Sequence, residues 1–278
     1  MRKVLVLSLG LILFITSCCK DENGTIEKKV IKEMSDTLNN SEHLSMATLW
    51  YQKAAEVQAI YYQTFNLAKL ILDKNIKKDR FKLKKKFPKA IITDIDETIL
   101  NNSPYNANLI INGTSYNKES WTKWVNEKRA KALPGAIDFC NYAKEKGIEI
   151  FYVSNRSEKD IDATMENLKK EGFPYVDKKH LYLKTKSSNK TDRRNKILEK
   201  YDVILYLGDN LRDFDETFGG RGSDFGFGIT TENKETFGTK FIVFPNPMYG
   251  EWEKGFYKGD FSKSNKEKRQ MRKDALIK

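Results

Sequence analysis

Two short acidic clusters carry most of the chemistry on offer in this 278-residue sequence. The first is Ile91-Ile92-Thr93-Asp94-Ile95-Asp96-Glu97-Thr98, an apolar run that leads straight into two aspartates spaced i, i+2. Side chains at that spacing on a strand share a face. One carboxylate can then attack an electrophile while the other moves protons. The second is Tyr206-Leu207-Gly208-Asp209-Asn210-Leu211-Arg212-Asp213, where the apolar run Val203–Leu207 ends in carboxylates spaced i, i+4. Gly208 permits a tight exit from the strand, and Asp209 and Asp213 converge if the loop begins a helical turn. Carboxylates gathered at one sheet edge repel one another and need a cation. An all-oxygen donor set favours Mg2+ over zinc or copper. An aspartate at a strand end also serves as an ordinary turn cap, so neither cluster decides alone.

Two smaller signals lie between them. Phe151-Tyr152-Val153-Ser154-Asn155-Arg156 ends an apolar run in a hydroxyl and two further donors, and Ser187-Ser188-Asn189-Lys190 precedes a helical pattern. Ser154, Asn155 and Lys190 are the donors and positive charge that the equatorial oxygens of a phosphoryl group require. Taken singly, each fits a cap or a surface position as well.

What is scarce narrows the choice. The chain has only two histidines, His43 and His180, and neither follows an arginine or sits in a metal-ligand spacing. A multi-histidine metal site and a histidine nucleophile are therefore disfavoured. Cys140 is followed six positions later by Lys146 rather than arginine, and no Cys-x-x-Cys pair exists. That excludes a thiolate phosphate loop and a dithiol or structural zinc site.

The elements that must position these residues read as an α/β fold. Apolar runs at Ala90–Ile95, Ile148–Ser154, Val203–Leu207 and Phe241–Phe244, with a weaker one at Leu181–Leu183, are expected strands. Helical patterns at Pro134–Lys146, Lys159–Glu171 and Lys190–Tyr201 separate them. Strands and helices in alternation predict a parallel sheet covered on both faces. In open sheets of that kind ligands bind beyond the carboxyl ends of the strands, where both acidic clusters fall. From Ser45 to Asn75 apolar residues recur at helical spacing, including Leu49, Trp50, Val57, Ile60, Tyr61, Leu67, Leu70 and Ile71, which predicts one long or two consecutive amphipathic helices.

The ends of the chain are different. Arg2-Lys3 precedes a twelve-residue apolar run, Val4–Ile15, too short to span a bilayer as a helix and suited to a signal peptide. It ends in Ile15-Thr16-Ser17-Cys18, which resembles a bacterial lipobox with Cys18 as the lipid anchor. Lys20-Asp21-Glu22 resembles the short lysine-acidic tag of some surface lipoproteins. The formal charge is +12, but the tail from Ser262 holds seven Lys or Arg against two acids. Most of the excess is therefore signal and tail, and nucleic acid is not an expected partner.

In order, strand-Asp-x-Asp, strand-Ser, Lys-helix and strand-Asp-x-x-x-Asp resemble the haloacid dehalogenase superfamily of aspartate-nucleophile phosphatases. Finer motifs are similar to its class C acid phosphatases of the lipoprotein e type: Asn102-Ser103-Pro104-Tyr105, Trp121-Thr122-Lys123-Trp124-Val125, Pro134-Gly135-Ala136 and Pro245-Asn246-Pro247-Met248-Tyr249-Gly250-x-Trp252. The resemblance implies a Rossmann-like core with a smaller, mainly helical cap that includes the N-terminal helices. Its boundaries are a signal peptide at 1–17, a lipidated tether at 18–44, a phosphatase domain at 45–261 and a basic tail at 262–278. Within the domain, residues 45–80 and 100–133 are the helical part and 88–99 and 134–250 the α/β core.

By the same resemblance Asp94 is the nucleophile and Asp96 the general acid and base. Mg2+ is held by the Asp94 side chain, the Asp96 backbone carbonyl, Asp209 and Asp213. Ser154 and Asn155 bind the phosphoryl group, and Lys190 offsets charge there, ahead of the nearby Lys184 and Lys186. Trp121, Tyr249 and Phe65 are the expected aromatic contacts to a nucleoside. The implied activity is Mg2+-dependent hydrolysis of phosphomonoesters, nucleoside 5'-monophosphates among them, by an enzyme lipid-anchored to the bacterial outer membrane. A phosphotransferase on the same scaffold and a ligand-binding surface lipoprotein without activity are the alternatives, and self-association is left open.

Overall fold

A computed structural model describes residues 41–79, 87–222 and 224–278. Cys18, the expected anchor, lies outside the described residues. The helical elements begin with α1 (Ser45–Lys53) and α2 (Ala55–Asp79), and Ala54 separates them by turning extended at φ −78° and ψ 127°. Strand β1 (Lys89–Thr93) follows. A two-residue pair, β2 (Leu100–Asn101) with β3 (Lys131–Ala132), then frames helices α3 (Ser103–Ile111) and α4 (Lys118–Asn126). Next come α5 (Ala136–Glu145), β4 (Glu149–Ser157), α6 (Ile161–Glu171), β5 (Leu181–Lys184), α7 (Thr191–Leu198) and β6 (Asp202–Gly208). The chain ends with α8 (Phe227–Glu232), β7 (Phe241–Val243), α9 (Glu253–Tyr257) and α10 (Asn265–Asp274).

The main sheet has the order β5-β4-β1-β6-β7 with every pairing parallel, as the apolar runs predict. Residues along each strand alternate between two cores. Ile91, Ile150, Tyr152, Leu205 and Leu207 face the core shared with α2 and α5, while Ala90, Ile92, Phe151, Val153 and Tyr206 face the one shared with α7. Both sets are buried, which explains why the strands read as continuous rather than alternating hydrophobic runs. The chain builds outward from β1 on one side through β4 and β5, then crosses back to β6. The direction of winding therefore reverses between β1 and β6, the place where such sheets open a crevice.

The periodicity of α2 is real, but its buried stripe differs from the most hydrophobic reading. Val57, Tyr61, Phe65, Ala68 and Leu72 are buried, whereas Leu67 and Leu70 are exposed. Hydrophobicity ranks Leu above Ala and Tyr, yet position on the helix decides burial. The polar tail forms α10, started by a capping box in which Ser264 and Glu267 satisfy each other's backbone amides. Among the described residues no helix is long and apolar enough to cross a membrane.

Candidate active site

Strand β1 stops at Thr93, one residue before the first aspartate. The Asp94 backbone N–H donates to the Leu207 carbonyl at 2.9 Å, which pins the residue beside the end of β6. On that neighbouring strand Gly208 is obligatory for a local reason. A Cβ there would sit 2.5 Å from both Cβ and Oδ2 of Asp213. The backbone then turns into a short 3-10 segment, Leu211–Asp213, in which Asn210 and Asp213 cap each other. Asp213 Oδ2 accepts from the Asn210 N–H at 3.0 Å, leaving Oδ1 to face the crevice. In this way Asp94, Asp209 and Asp213 each present an oxygen within 4.8 Å of the others.

Lys190 stands at the N-cap of α7 and is buried. Its Nζ donates to Asp213 Oδ1 at 2.6 Å and forms an ion pair with Asp94 Oδ1. The Glu216 carboxylate accepts the Lys190 backbone N–H at 3.0 Å and holds the start of the helix in place. Lys190, rather than Lys184 or Lys186, is thus the lysine in contact with Asp94.

One cation is too little for three carboxylates. Among the described residues the donors to Asp209 are neutral, Asn246 Nδ2 at 2.8 Å and Thr98 Oγ1 at 3.5 Å. Burial pushes its carboxyl well above the usual range, and Asp213 and Asp94 add to the rise. Burial likewise pushes Asp94 up to about 7, against the pull of Lys190. A buried, under-compensated set of hard oxygens fits a divalent cation such as Mg2+.

Asp96 turns away from this group. The strand expected to carry both aspartates on one face has already ended, and Asp96 keeps only an isolated bridge to Leu100. Its Oδ1 accepts from Arg156 Nε at 2.9 Å, Arg156 Nη2 at 2.8 Å and Asn102 Nδ2 at 2.9 Å. Ser154 Oγ donates to its other oxygen at 3.3 Å. Arg156 is 1% exposed, so it acts as a rigid mount rather than a surface charge.

Below Asp96 the turn is held by Glu97, which is fully buried at φ +57°, a left-handed conformation that favours glycine. Its carboxylate accepts the Asn102 N–H at 2.7 Å and the Tyr249 hydroxyl, and its own carbonyl accepts the Tyr61 hydroxyl at 2.5 Å. Trp124 Nε1 donates to Asn102 Oδ1 at 2.8 Å. The chain thus spends a strained residue to orient the amide that orients Asp96.

The aromatic expectations divide. Phe65 is a correction: it is 3% exposed and packs on Phe139 and Phe244, so its ring belongs to the core. An amphipathic pattern cannot separate a core aromatic from a site aromatic. Tyr249 is half-buried and its hydroxyl is taken by Glu97. Trp121 is half-buried, with its ring 5.1 Å from Tyr105 and 6.4 Å from Tyr116. Tyr116 is 63% exposed, and Asp96 lies near enough to add to the rise that burial gives its hydroxyl. Asn155 is exposed and accepts from Arg193 Nη2 at 2.8 Å, while Arg193 Nη1 donates to the Ser154 carbonyl at 2.6 Å.

Arg156, one of the two donors that follow Ser154, turns to Asp96, and Glu97, Asn102 and Asn246 stand in their motifs without a local sign of these roles. The signal for Arg156 was charge balance, since a buried aspartate needs a fixed cation. Tyr116 carried no signal beyond being aromatic. Cys140 lies in the core, and burial pushes its thiol up to about 12, far from a nucleophile at neutral pH.

A family model described as HAD superfamily, subfamily IIIB (acid phosphatase) matches residues 16–252. The class C acid phosphatase from Bacillus anthracis has been solved with tungstate bound, at TM-score 0.80 and 41% identity over 86% of this chain and 98% of that one. Another structure of it gives TM-score 0.81 and 40% identity over the same shares. Acid phosphatase 1 of Solanum lycopersicum is 27% identical over 164 residues, 57% of this chain and 57% of the relative. The match thus spans little more than half the length of that curated relative.

Proposed function

The chain belongs to the acid phosphatases of HAD subfamily IIIB, and from that premise we propose that it hydrolyses phosphomonoesters, with Mg2+, through a phosphoryl group carried on Asp94. The observation that carries this reading is the Lys190 ammonium between Asp94 and Asp213, with Asp209 beside them lacking a cation of its own. A carboxylate attacks a phosphate ester poorly because both are negative. Lys190 removes part of that repulsion at the attacking oxygen. A divalent cation held by Asp94, Asp209, Asp213 and the Asp96 backbone carbonyl supplies the remaining positive charge when bound. The tungstate bound by the Bacillus anthracis relative, an oxyanion like phosphate, is in keeping with such a site.

In the first step an Asp94 oxygen bonds to phosphorus as the ester P–O bond breaks. Asp96 gives its proton to the departing alcohol oxygen. In the second step Asp96 takes a proton from water, whose oxygen attacks the same phosphorus and frees phosphate and the Asp94 carboxylate. Using one acid–base group twice requires that it stay in place through both steps. Arg156 and Asn102 do that. A phosphomonoester dianion takes up one proton near about pH 6, so the monoanionic substrate can deliver the proton that Asp96 passes on. An acidic optimum follows, and an alkaline one counts against this assignment.

The exposed ring of Tyr116, beside Trp121 and within the field of Asp96, supports nucleoside monophosphates as preferred substrates. Trp121→Ala should raise KM for a nucleotide more than for nitrophenyl phosphate, and equal changes remove the stacking contact. The lipid anchor at Cys18 is tested by palmitate labelling, which Cys18→Ala should abolish. Phosphate release from a nucleotide panel, with and without chelator, tests the whole reading, and it fails if no monoester gives metal-dependent release.

A further inference from the structure

A second cavity, of about 770 Å³, shares no lining residue with the carboxylate crevice. It lies between Gly219, Arg221, Gly222 and Phe225 on one side and the module of α9 and α10 on the other. Its size is that of a small-molecule site. Arg221 lines it and is 9% exposed. Among the described residues no acceptor meets Arg221 Nε, and Nη1 makes a long 3.5 Å contact with the Phe225 carbonyl. Burial pulls the guanidinium below the usual arginine range, and Glu251 offsets part of that pull. Glu251, whose field reaches it, already pairs with Arg212 and Lys254. The buried Nε of Arg221 thus has a donor to spare at the cavity wall.

The walls indicate what else the anion carries. Phe225, Phe256 and Met271 provide apolar surface, and Lys258 adds an exposed positive charge at the rim. Lys258 has no ion-pair partner among the described residues. Asp274, the acidic residue in the lining, accepts from Gln270 Nε2 at 2.7 Å on its own helix. Glycines at 255 and 259 keep the wall thin.

We infer that this cavity binds a small organic anion, a phosphate or carboxylate on an apolar or aromatic body, with Arg221 as its fixed partner. The site is separate from the carboxylate crevice and stands whether or not that crevice hydrolyses phosphate esters. Phenylphosphonate, which has no ester bond to cleave, and benzoate are the probes. The full chain, labelled with nitrogen-15 in arginine, is titrated with each, and the Arg221 Nε resonance is assigned by its loss in Arg221→Gln. At least one probe should shift that resonance saturably, and the stronger of the two reports whether phosphate or carboxylate is preferred. Lys258→Gln should weaken the same binding about three- to fivefold. Both variants should hydrolyse nitrophenyl phosphate at the wild-type rate. If Arg221→Gln does not fold, the wild-type and Lys258→Gln titrations decide. An Arg221 resonance that stays still with both probes, or drifts without saturating, overturns the site.

Discussion

At the amino end of the sheet Glu149 opens β4 beneath three donors to one oxygen, Lys179 Nζ at 2.8 Å, His180 Nε2 at 2.9 Å and the Tyr201 hydroxyl at 2.9 Å. At the carboxyl end Asp209 leaves β6 with two neutral donors and two other carboxylates for company. Burial works to raise both acids. Around Glu149 the donors outweigh it and hold the carboxyl below its usual range, whereas Asp209 stays well above. Lys89 and Asp202, which start β1 and β6, are likewise paired at 3.0 Å. The same residue types therefore stabilise one end of the fold and are kept under-compensated at the other. That asymmetry, rather than the presence of acidic residues, marks the end built for chemistry.

The largest break in this comparison is removal of the lysine that touches two of the three clustered carboxylates. Lys190→Met leaves Asp94 and Asp213 without the ammonium that lies between them. Steady-state kinetics should show kcat down by at least ~10³-fold, and a loss under about tenfold would mean the lysine is only structural. Gly208→Ala tests geometry with every charge kept, because the new methyl displaces Asp213. A displacement of about 1 Å costs on the order of 10²-fold in rate, and near-normal kinetics would show that Asp213 is free to move. Glu97→Gln keeps shape but changes the group that Tyr249 and the Asn102 N–H meet. About tenfold lower kcat is expected, with KM little changed, as for an interaction that positions Asp96.

A gentler test uses pH. In metal-free protein the folded Asp94 value, about 7, lies above its unfolded one. Its contribution is thus full below about pH 4 and is lost as pH rises through about 7. Glu149 runs the other way, since its value is lowered on folding. Its contribution is present above the unfolded value and disappears as pH falls through the folded one. Chelated protein should therefore lose Tm between about pH 5 and about pH 8, and Mg2+ should flatten the slope. A Tm that climbs over that range without metal would reverse the assignment. Smallest of all, Glu149→Gln should cost no more than about 1 kcal/mol in denaturant unfolding and leave kcat alone.

Much of this was legible in the residues. Apolar runs mark all five strands of the main sheet to within a few residues, the weaker Leu181–Leu183 included, because strands buried on both faces need no alternation. Asp94, Asp209, Asp213 and Lys190 were legible as local motifs at strand ends and at the start of a helix. The mount of Asp96 was not, because Arg156 lies 60 positions from it in sequence and pairing across a sheet leaves no local trace. Glu97 looked like one more acid in a motif, and only its backbone at φ +57° shows what the turn requires. Phe65 was misleading because a helix stripe reports which residues face inward, not whether core or ligand meets them.

The most direct test of the account is chemical. Protein carrying Asp96→Asn, given Mg2+ and nitrophenyl phosphate and quenched in acid, should yield an Asp94-containing peptide heavier by one phosphoryl group. The label should vanish when Asp94→Asn is added. Turnover with no phosphorylated peptide, or with the group on another residue, would contradict the assignment of Asp94 as the attacking carboxylate.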